Sequence, residues 1–418
     1  MSIEGRRAGT GDASPRGLHV VFLVGFAYPH SSAPANRVHA YARGLVERGN
    51  RVTVLCVRAV LEPGRPEGRV PPRGSLDGVE YEWTSGQAES ARRFFERRLL
   101  ELSGGAGGVA EIVRRRRAGG VDAVISYAVP AWVDLAVKAV AAAHRIPIVS
   151  EKNEFPFPER GLLSNRLLAR LEEAVTWLCY DGIIVISGEL QSYFGRVAGR
   201  STRFLRIPIL VDFSRFSPVD RDRSAEVRVV YCGDPYGRKD GVPILLEAFG
   251  RVAPQFPMAR LWVVGDSYVP GVLDGLRKTA EELGIGERVV FTGRVSGTEV
   301  PRLLGEADIL ALARPTSLQA KGGFPTKLGE YLATGNPVVA TRVGELGDWL
   351  EDGKEVFFCE PDSAESFARR LRDVLLLPDK GREVGQRGRD KALQCFDYRV
   401  HAGPLEAFIR SLRNGRGA

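Results

Sequence analysis

The sequence predicts an α/β protein built from two doubly wound, parallel-sheet domains that face each other across a cleft. Three observations predict it. Short, almost wholly apolar runs alternate with amphipathic helical patterns from residue 18 onward, and strands of that kind are buried on both faces of a sheet. The rhythm pauses once, at Ile207–Ser224, and then restarts. A chain of 418 residues also exceeds what one ordinary hydrophobic core serves.

Taken in order, residues 1–17 (MSIEGRRAGTGDASPRG) hold no apolar run. They read as a disordered tail and not as a secretory signal. Leu18–Val24, Arg51–Val57, Asp122–Ser126, Ile146–Ser150 and Asp181–Ser187 are the first strand candidates. Helical periodicity covers about Asn36–Arg48 and Trp132–Ala143. Ile207–Ser224, with Pro208, Pro218 and several charges, reads as a linker. Beyond it, Val227–Cys232, Ala259–Val264, Val289–Thr292, Ile309–Ala313 and Pro337–Thr341 are strands. Val242–Val252, Val272–Leu283, Val300–Leu304 and Pro325–Ala333 are the helices between them. The expected division is residues 18–208 for an N-terminal domain and 209–397 for a C-terminal one, with a last helix at about 398–413 packing back on the first. Ligands of open parallel sheets bind beyond the carboxyl ends of the strands, so the natural site is the cleft.

Composition narrows the function classes. Lys plus Arg number 59 against 51 Asp plus Glu, a net charge of +8, which suits anionic partners such as nucleotide phosphates. No nucleic-acid motif accompanies it, so no nucleic-acid partner is expected. Cys56, Cys179, Cys232, Cys359 and Cys395 are far apart and form no CxxC pair, which argues against structural zinc and a disulfide framework. Reduced thiols of a cytoplasmic protein are the simple reading. No apolar stretch reaches the roughly 20 residues of a membrane span. Between Glu89 and Ala118 stand Arg92, Arg93, Arg97, Arg98 and Arg114 through Arg117, interleaved with Phe94, Phe95, Leu99 and Leu100. This Arg92–Arg117 region reads either as a surface that meets an anionic membrane, peripherally on its inner face, or an anionic acceptor. The other reading is a solvated helical face with Phe95 and Leu99 in the core, and it is favoured because charged helix faces are common.

The chemistry concentrates in Lys321–Thr341 (KGGFPTKLGEYLATGNPVVAT). Gly322 and Gly323 allow backbone to approach a ligand. Pro325 suits a first helical turn, whose unpaired N–H groups and dipole make an anion site. Lys327 adds a cation there, and Glu330, about one turn on, can accept two hydrogen bonds from a ribose diol. Gly335 ends the helix. Lys327 and Glu330 could equally be a surface i,i+3 pair, but the glycine and proline context favours function. Arg238 and Lys239 in Gly237–Gly241 are either a basic phosphate loop or a solvated turn, with the loop favoured.

This stretch resembles the C-terminal signature of retaining GT-B glycosyltransferases, in particular glycosyltransferase family 4. Gly237–Gly241 (GRKDG), Leu261–Asp266, Val290–Val295, Glu306–Leu312 and Ile207–Phe216 are similar to further family segments in the same order, over about residues 18–412. The resemblance implies the GT-B fold, two Rossmann-like domains, and a nucleotide-sugar donor, with UDP-sugar favoured. It implies that Glu330 holds the ribose and that Arg238, Lys239 and Lys327 stabilise the diphosphate. Gly233, Gly322, Gly323, Phe324, Pro325, Thr326 and Leu328 would line the donor, with Arg294 and Val295 beside the base. The loop after the first strand, Gly25–Ala35, would close over the donor. Gly25, His30, Asn36, Asn153 and Glu154 are the acceptor-side candidates, whereas His39 reads as structural. Three departures stand out. Gly322 occupies the place of a family glutamate, Asp234 that of an arginine after Gly233, and Ser150–Glu154 (SEKNE) that of a histidine, for which Glu151, Asn153 or Glu154 could substitute. Asp220-Arg-Asp222 is the one convincing DxD spelling; it lies in the linker and reads as chance, so no metal or other cofactor is expected. Two other readings stay open: a non-catalytic nucleotide-sugar-binding partner protein, and a sugar-nucleotide epimerase of the same fold.

Overall fold

The computed structural model describes residues 16–29, 32–61, 71–156, 163–217, 219, 226–236 and 240–415. Two sheets organise the chain. The first holds eight strands in the order β3-β4-β2-β1-β5-β6-β7-β8. These are β1 (His19–Val24), β2 (Arg51–Cys56), β3 (Arg73–Leu76), β4 (Val79–Trp83), β5 (Ala123–Tyr127), β6 (Ile148–Lys152), β7 (Gly182–Val185) and β8 (Arg203–Arg206). All pair in parallel except the exposed edge strand β3, which runs antiparallel to β4. The second sheet holds six parallel strands in the order β11-β10-β9-β12-β13-β14. They are β9 (Val227–Cys232), β10 (Ala259–Val264), β11 (Val289–Gly293), β12 (Ile309–Leu312), β13 (Val338–Thr341) and β14 (Phe357–Cys359). β1, fully buried along its length, and the equally buried β12 and β13 are what continuous Val/Ile/Leu runs become when helices cover both faces.

The segment expected to be a linker is instead packed. Ile207, Ile209, Val211, Phe213 and Phe216 are all buried. The chain crosses between domains twice, and the two crossings hydrogen-bond to each other: Val211 N–H donates to Phe396 O at 2.8 Å and Tyr398 N–H to Val211 O at 3.2 Å. The alternation of apolar residues through Ile207–Phe216 outweighs the prolines, because each apolar side chain finds a core on one side of the junction. After the second crossing, helix Tyr398–Asn414 lies along helix Ala33–Glu47 of the first domain. Tyr398 OH donates to Glu47 Oε1 at 2.6 Å, and Arg48 pairs with Glu406 at 2.6 Å.

A second expectation needs correction. Helix Phe94–Arg117 does not bury Phe95 or Leu99, which are 80% and 67% exposed. Its inner face is made instead by Gly104, Gly105, Gly108, Glu111 and Ile112. Small residues bring this helix close to the sheet further along, and the aromatic first turns are left outside. Of the tail, only Arg16 and Gly17 fall within the described residues. The five cysteines are unpaired thiols. No helix among the described residues is long and apolar enough to cross a membrane.

Candidate active site

In the second sheet the strand order turns between β9 and β12, and such a switch point opens a crevice beyond the carboxyl ends of the two strands. Here those ends are Cys232–Gly233 and Leu312–Arg314. Helix Thr326–Ala333 begins above them, with Pro325 at its N-cap in an extended conformation. The N–H groups of its first turn, Thr326 and Lys327 among them, have no carbonyl of their own helix to meet. The helix is anchored to β9 by Tyr331, whose hydroxyl accepts from Cys232 N–H at 2.8 Å and returns a longer bond of 3.3 Å to Cys232 O. That anchor aims Lys327 across the crevice. Its aliphatic end lies where a Cβ on Gly233 would be, and Gly233 has φ +149°, so this position needs glycine on both counts. The Lys327 ammonium pairs with Asp240, sits 5.2 Å from the Tyr231 ring centroid and reaches Tyr231 OH at 3.3 Å. Tyr231 OH in turn donates to Asp240 at 2.8 Å. Burial alone would push the Asp240 carboxyl up; the adjacent Lys327 ammonium outweighs it and holds the carboxyl below the ordinary range. The Lys327 ammonium is therefore held in place at the crevice by the Asp240 carboxylate.

Glu330, one turn on, is partly buried, and its carboxyl is raised by desolvation, with Arg215 and Lys327 opposing. Arg215 approaches it at 3.6 Å and also donates to Gly297 O at 3.3 Å. The same arginine lines a cavity of about 770 Å³ with Ser217, Ser296, Gly297, Thr298 and Arg302. Arg294 beside this cavity is exposed and Val295 is partly buried. Sequence reasoning missed Arg215, whose position in the crossing segment means nothing until the two domains are folded.

Other candidates separate into backbone and side-chain cases. Phe324 packs edge-on to Trp349 and Phe396, and Leu328 is wholly buried. Their side chains belong to the core, so either could offer a donor only its backbone. Gly323 N–H is taken by Gln319 O at 2.9 Å, which removes one of the expected donor N–H groups. A Cβ on Gly322 would collide with the Phe155 ring of the other domain, so a glutamate has no room there. Gly322 O accepts from Ser187 Oγ at 2.5 Å, and Glu345 Oε1 accepts from Gly188 N–H at 2.5 Å. The loop below the helix is thus where the two domains touch. Gly237, Arg238, Lys239 and His30 lie outside the described residues, as do Asp220 and Asp222. Among the described residues, no three His, Cys, Asp or Glu side chains gather as a metal site would need.

On the N-terminal side, Gly25 is buried and donates to Tyr127 O at 3.1 Å. Asn36 and Glu154 are exposed. Asn153 donates from Nδ2 to Tyr127 OH at 2.7 Å, while its buried Oδ1 has no partner. Glu151 does not reach the cleft as a catalytic group: it is buried against Arg37 at 2.7 Å and accepts from Tyr41 OH at 3.2 Å. His39 bridges Tyr28 OH at 2.7 Å and Asp77 at 3.0 Å, a structural role. One further residue had no signal in the sequence. Arg314, at the carboxyl end of β12, is 5% exposed, and its buried Nε donor has no hydrogen-bond partner.

Residues 226–376 match the family model "Glycosyl transferases group 1". That match covers the second domain, whose sequence is similar to the group 1 glycosyltransferases. The chain is 28% identical over 250 residues to a GDP-mannose-dependent alpha-(1-6)-phosphatidylinositol monomannoside mannosyltransferase of Mycolicibacterium smegmatis, over 57% of this chain and 64% of that protein. It is 27% identical over 297 residues to a D-inositol 3-phosphate glycosyltransferase of Segniliparus rotundus, over 67% of this chain and 63% of that protein. The chain thus spans less than two thirds of the length of these relatives. Among solved structures, sucrose-phosphate synthase of Thermosynechococcus elongatus aligns with a TM-score of 0.73 at 17% identity, over 95% of this chain and 100% of that one. The two-domain GT-B fold of this chain is that of known glycosyltransferases.

Proposed function

We propose that the chain is a retaining glycosyltransferase that transfers a sugar from a nucleotide-sugar donor without a metal ion. The observation that carries this reading is Lys327 lying over Gly233 at the strand switch, with Glu330 one turn beyond. The donor diphosphate occupies the crevice over Gly233, against the Lys327 ammonium and the first-turn N–H groups of helix Thr326–Ala333. Arg238 and Lys239, which directly precede Asp240 in sequence, are the further cations that the family resemblance assigns to this diphosphate. Glu330 accepts from the ribose hydroxyls and gives up Arg215 to do so. When the bond from the sugar C1 to the phosphate oxygen breaks, the leaving diphosphate gains charge, which these preorganised cations and dipoles stabilise. The acceptor hydroxyl attacks C1 on the face the diphosphate leaves, and its proton passes to a phosphate oxygen, so no histidine is required.

The family resemblance favours a UDP-sugar, whereas the first relatives are named as GDP-mannose-dependent; GDP-mannose and UDP-glucose are therefore the first donors to test. The phosphatidylinositol monomannoside in the first relative's name points to an acceptor presented at an anionic membrane, whereas the inositol 3-phosphate named in another is water-soluble. The exposed Phe94, Phe95, Leu99 and Leu102, ringed by Arg93, Arg97 and Arg98, suit that surface: apolar groups enter the headgroup boundary and arginines meet the anionic lipids. Co-flotation with vesicles is expected to require anionic lipid and to fall several-fold in Phe95→Ser/Leu99→Ser; equal flotation of both proteins removes this part of the reading.

Glu330→Ala is expected to abolish transfer with the melting temperature near that of the parent; Lys327→Ala is expected to abolish it as well, with a lower melting temperature because buried Asp240 loses its cation. Undiminished turnover in both variants refutes the assignment. Donor binding without turnover across donors and acceptors favours the non-catalytic partner, and an isomerised donor formed without acceptor favours the epimerase.

A further inference from the structure

The Arg314 side chain has no evident structural employment. A buried cation is expensive unless it is paired and hydrogen-bonded, and buried donors are nearly always satisfied. Arg314 is nearly sealed from water, its Nε has no partner, and no ion pair within 4 Å holds it among the described residues. Desolvation pulls its affinity for the proton down, and only the fields of Asp240 and Glu154 oppose that loss. Of those two carboxylates, Asp240 is committed to Lys327, and Glu154 is exposed on the other domain. The guanidinium reaches the loop before helix Thr326–Ala333, with Nη2 3.7 Å from where a Cβ of Gly323 would stand. Its backbone is pinned, because Arg314 O accepts from Thr341 Oγ1 at 2.6 Å.

The location is as informative as the lack of partners. Arg314 follows β12, the strand beside β9 at the switch point, so it stands on the β12 flank of the crevice, whereas Gly233 follows β9. On the β9 side, the residue after Gly233 is Asp234, an anion, and its backbone oxygen accepts from Tyr231 OH at 2.6 Å. A diphosphate held only by Lys327 would therefore have a cation on one flank and a carboxylate on the other. A planar guanidinium on the β12 flank provides the second set of donors, in the fork geometry that matches phosphate oxygens.

We infer that Arg314 is a donor-binding residue whose free guanidinium donors take the diphosphate of the nucleotide sugar, completing a clamp with Lys327 across the strand-switch crevice. This rests on the reading of the crevice as the donor site and adds to it the residue that holds the second flank of the diphosphate. The arginine carries an unmet desolvation cost in the empty protein that the phosphate oxygens relieve on binding. The ligand class is a nucleoside diphosphate; a nucleoside without phosphates has nothing to offer this group.

The test compares calorimetric binding of UDP, GDP, uridine and guanosine to the full chain and to Arg314→Met and Arg314→Lys. Loss of one charge-assisted pair weakens binding between about tenfold and a hundredfold. Arg314→Met is expected to show that loss for the preferred nucleoside diphosphate, with nucleoside affinity unchanged and the melting temperature of the free protein equal or higher. Arg314→Lys is expected to recover part of the loss. An Arg314→Met protein with the parent's ratio of diphosphate to nucleoside affinity overturns the inference, whatever its melting temperature. A drop in melting temperature alone assigns the arginine to packing. If Lys327→Ala loses diphosphate affinity while Arg314→Met does not, the donor site stands and only the role of Arg314 falls. A parent protein that binds neither diphosphate removes the site and this inference together.

Discussion

Arg37 and Arg314 are almost equally removed from water, 3% and 5% exposed, one in each domain. Arg37 has all its fork positions used: Nε on Glu151 at 2.7 Å, Nη1 on Pro208 O at 2.5 Å and Nη2 on Ile207 O at 2.8 Å. It ties helix Ala33–Glu47 to the strand β6 carboxylate and to the crossing between domains. Arg314 has a pinned backbone and an unmatched guanidinium. Burial is the same; satisfaction is not. A cation with each of its three nitrogens met by the chain is architecture, and one whose donors are left over at a strand-switch crevice is set aside for a group the chain does not supply.

The largest effect expected from this contrast is at the satisfied arginine. Removing one partner of a buried pair leaves the other charge without compensation, which costs about 3–5 kcal/mol. Arg37→Met should lose that much in urea unfolding, because Glu151 keeps only Tyr41 OH and two carbonyls of the crossing segment lose their donors. The same change at Arg314 removes no side-chain hydrogen bond among the described residues and should leave the unfolding midpoint unchanged or raised. Equal losses at the two positions would break the distinction and return Arg314 to ordinary packing.

What the sequence could disclose follows the same line between local and assembled features. The strands with continuous apolar runs and the helix carrying Lys327 and Glu330 are legible because propensity, glycine and proline placement, and periodicity all lie within about 20 residues. Strand β3 (Arg73–Leu76) is exposed throughout and has no apolar face to read. Helix Phe94–Arg117 hides its inner face in glycines, so its aromatic residues point to the wrong side of a pattern-based reading. Ile207–Phe216 spells a buried alternation, but its prolines and charges read as a linker until the second crossing at Phe396–Tyr398 is placed beside it. Gly322 was visible as a departure from the family pattern; its cause, the Phe155 ring, belongs to the other domain. Arg215 and Arg314 owe their meaning to what they face, and in Arg314's case to what it fails to meet, neither of which is a property of neighbouring residues.

A smaller effect sharpens the contrast from the anionic side. Asp134 in helix Ala131–His144 is buried like Arg37, yet its partners are two hydroxyls, Ser126 Oγ at 2.6 Å and Tyr180 OH at 2.7 Å. Desolvation dominates, with Glu172 adding to it, while the two hydroxyls and Lys152 pull the other way; the carboxyl rises from its usual 3.8 to about 6. The folded state therefore holds this proton more tightly than the unfolded chain. The stabilisation due to the protonated form is fully present below the unfolded value near pH 4 and is lost as pH rises through about 6. At pH 8 the protein carries the whole cost of an ionised carboxylate in that place, on the order of 3 kcal/mol by linkage and less as the surroundings relax. Asp134→Asn keeps an acceptor and never ionises, so it should be more stable than the parent at pH 8, with the gap closing toward pH 4. Unfolding curves across that range decide the matter: a gap that does not change with pH would mean the two hydroxyls satisfy the carboxylate as fully as Glu151 satisfies Arg37.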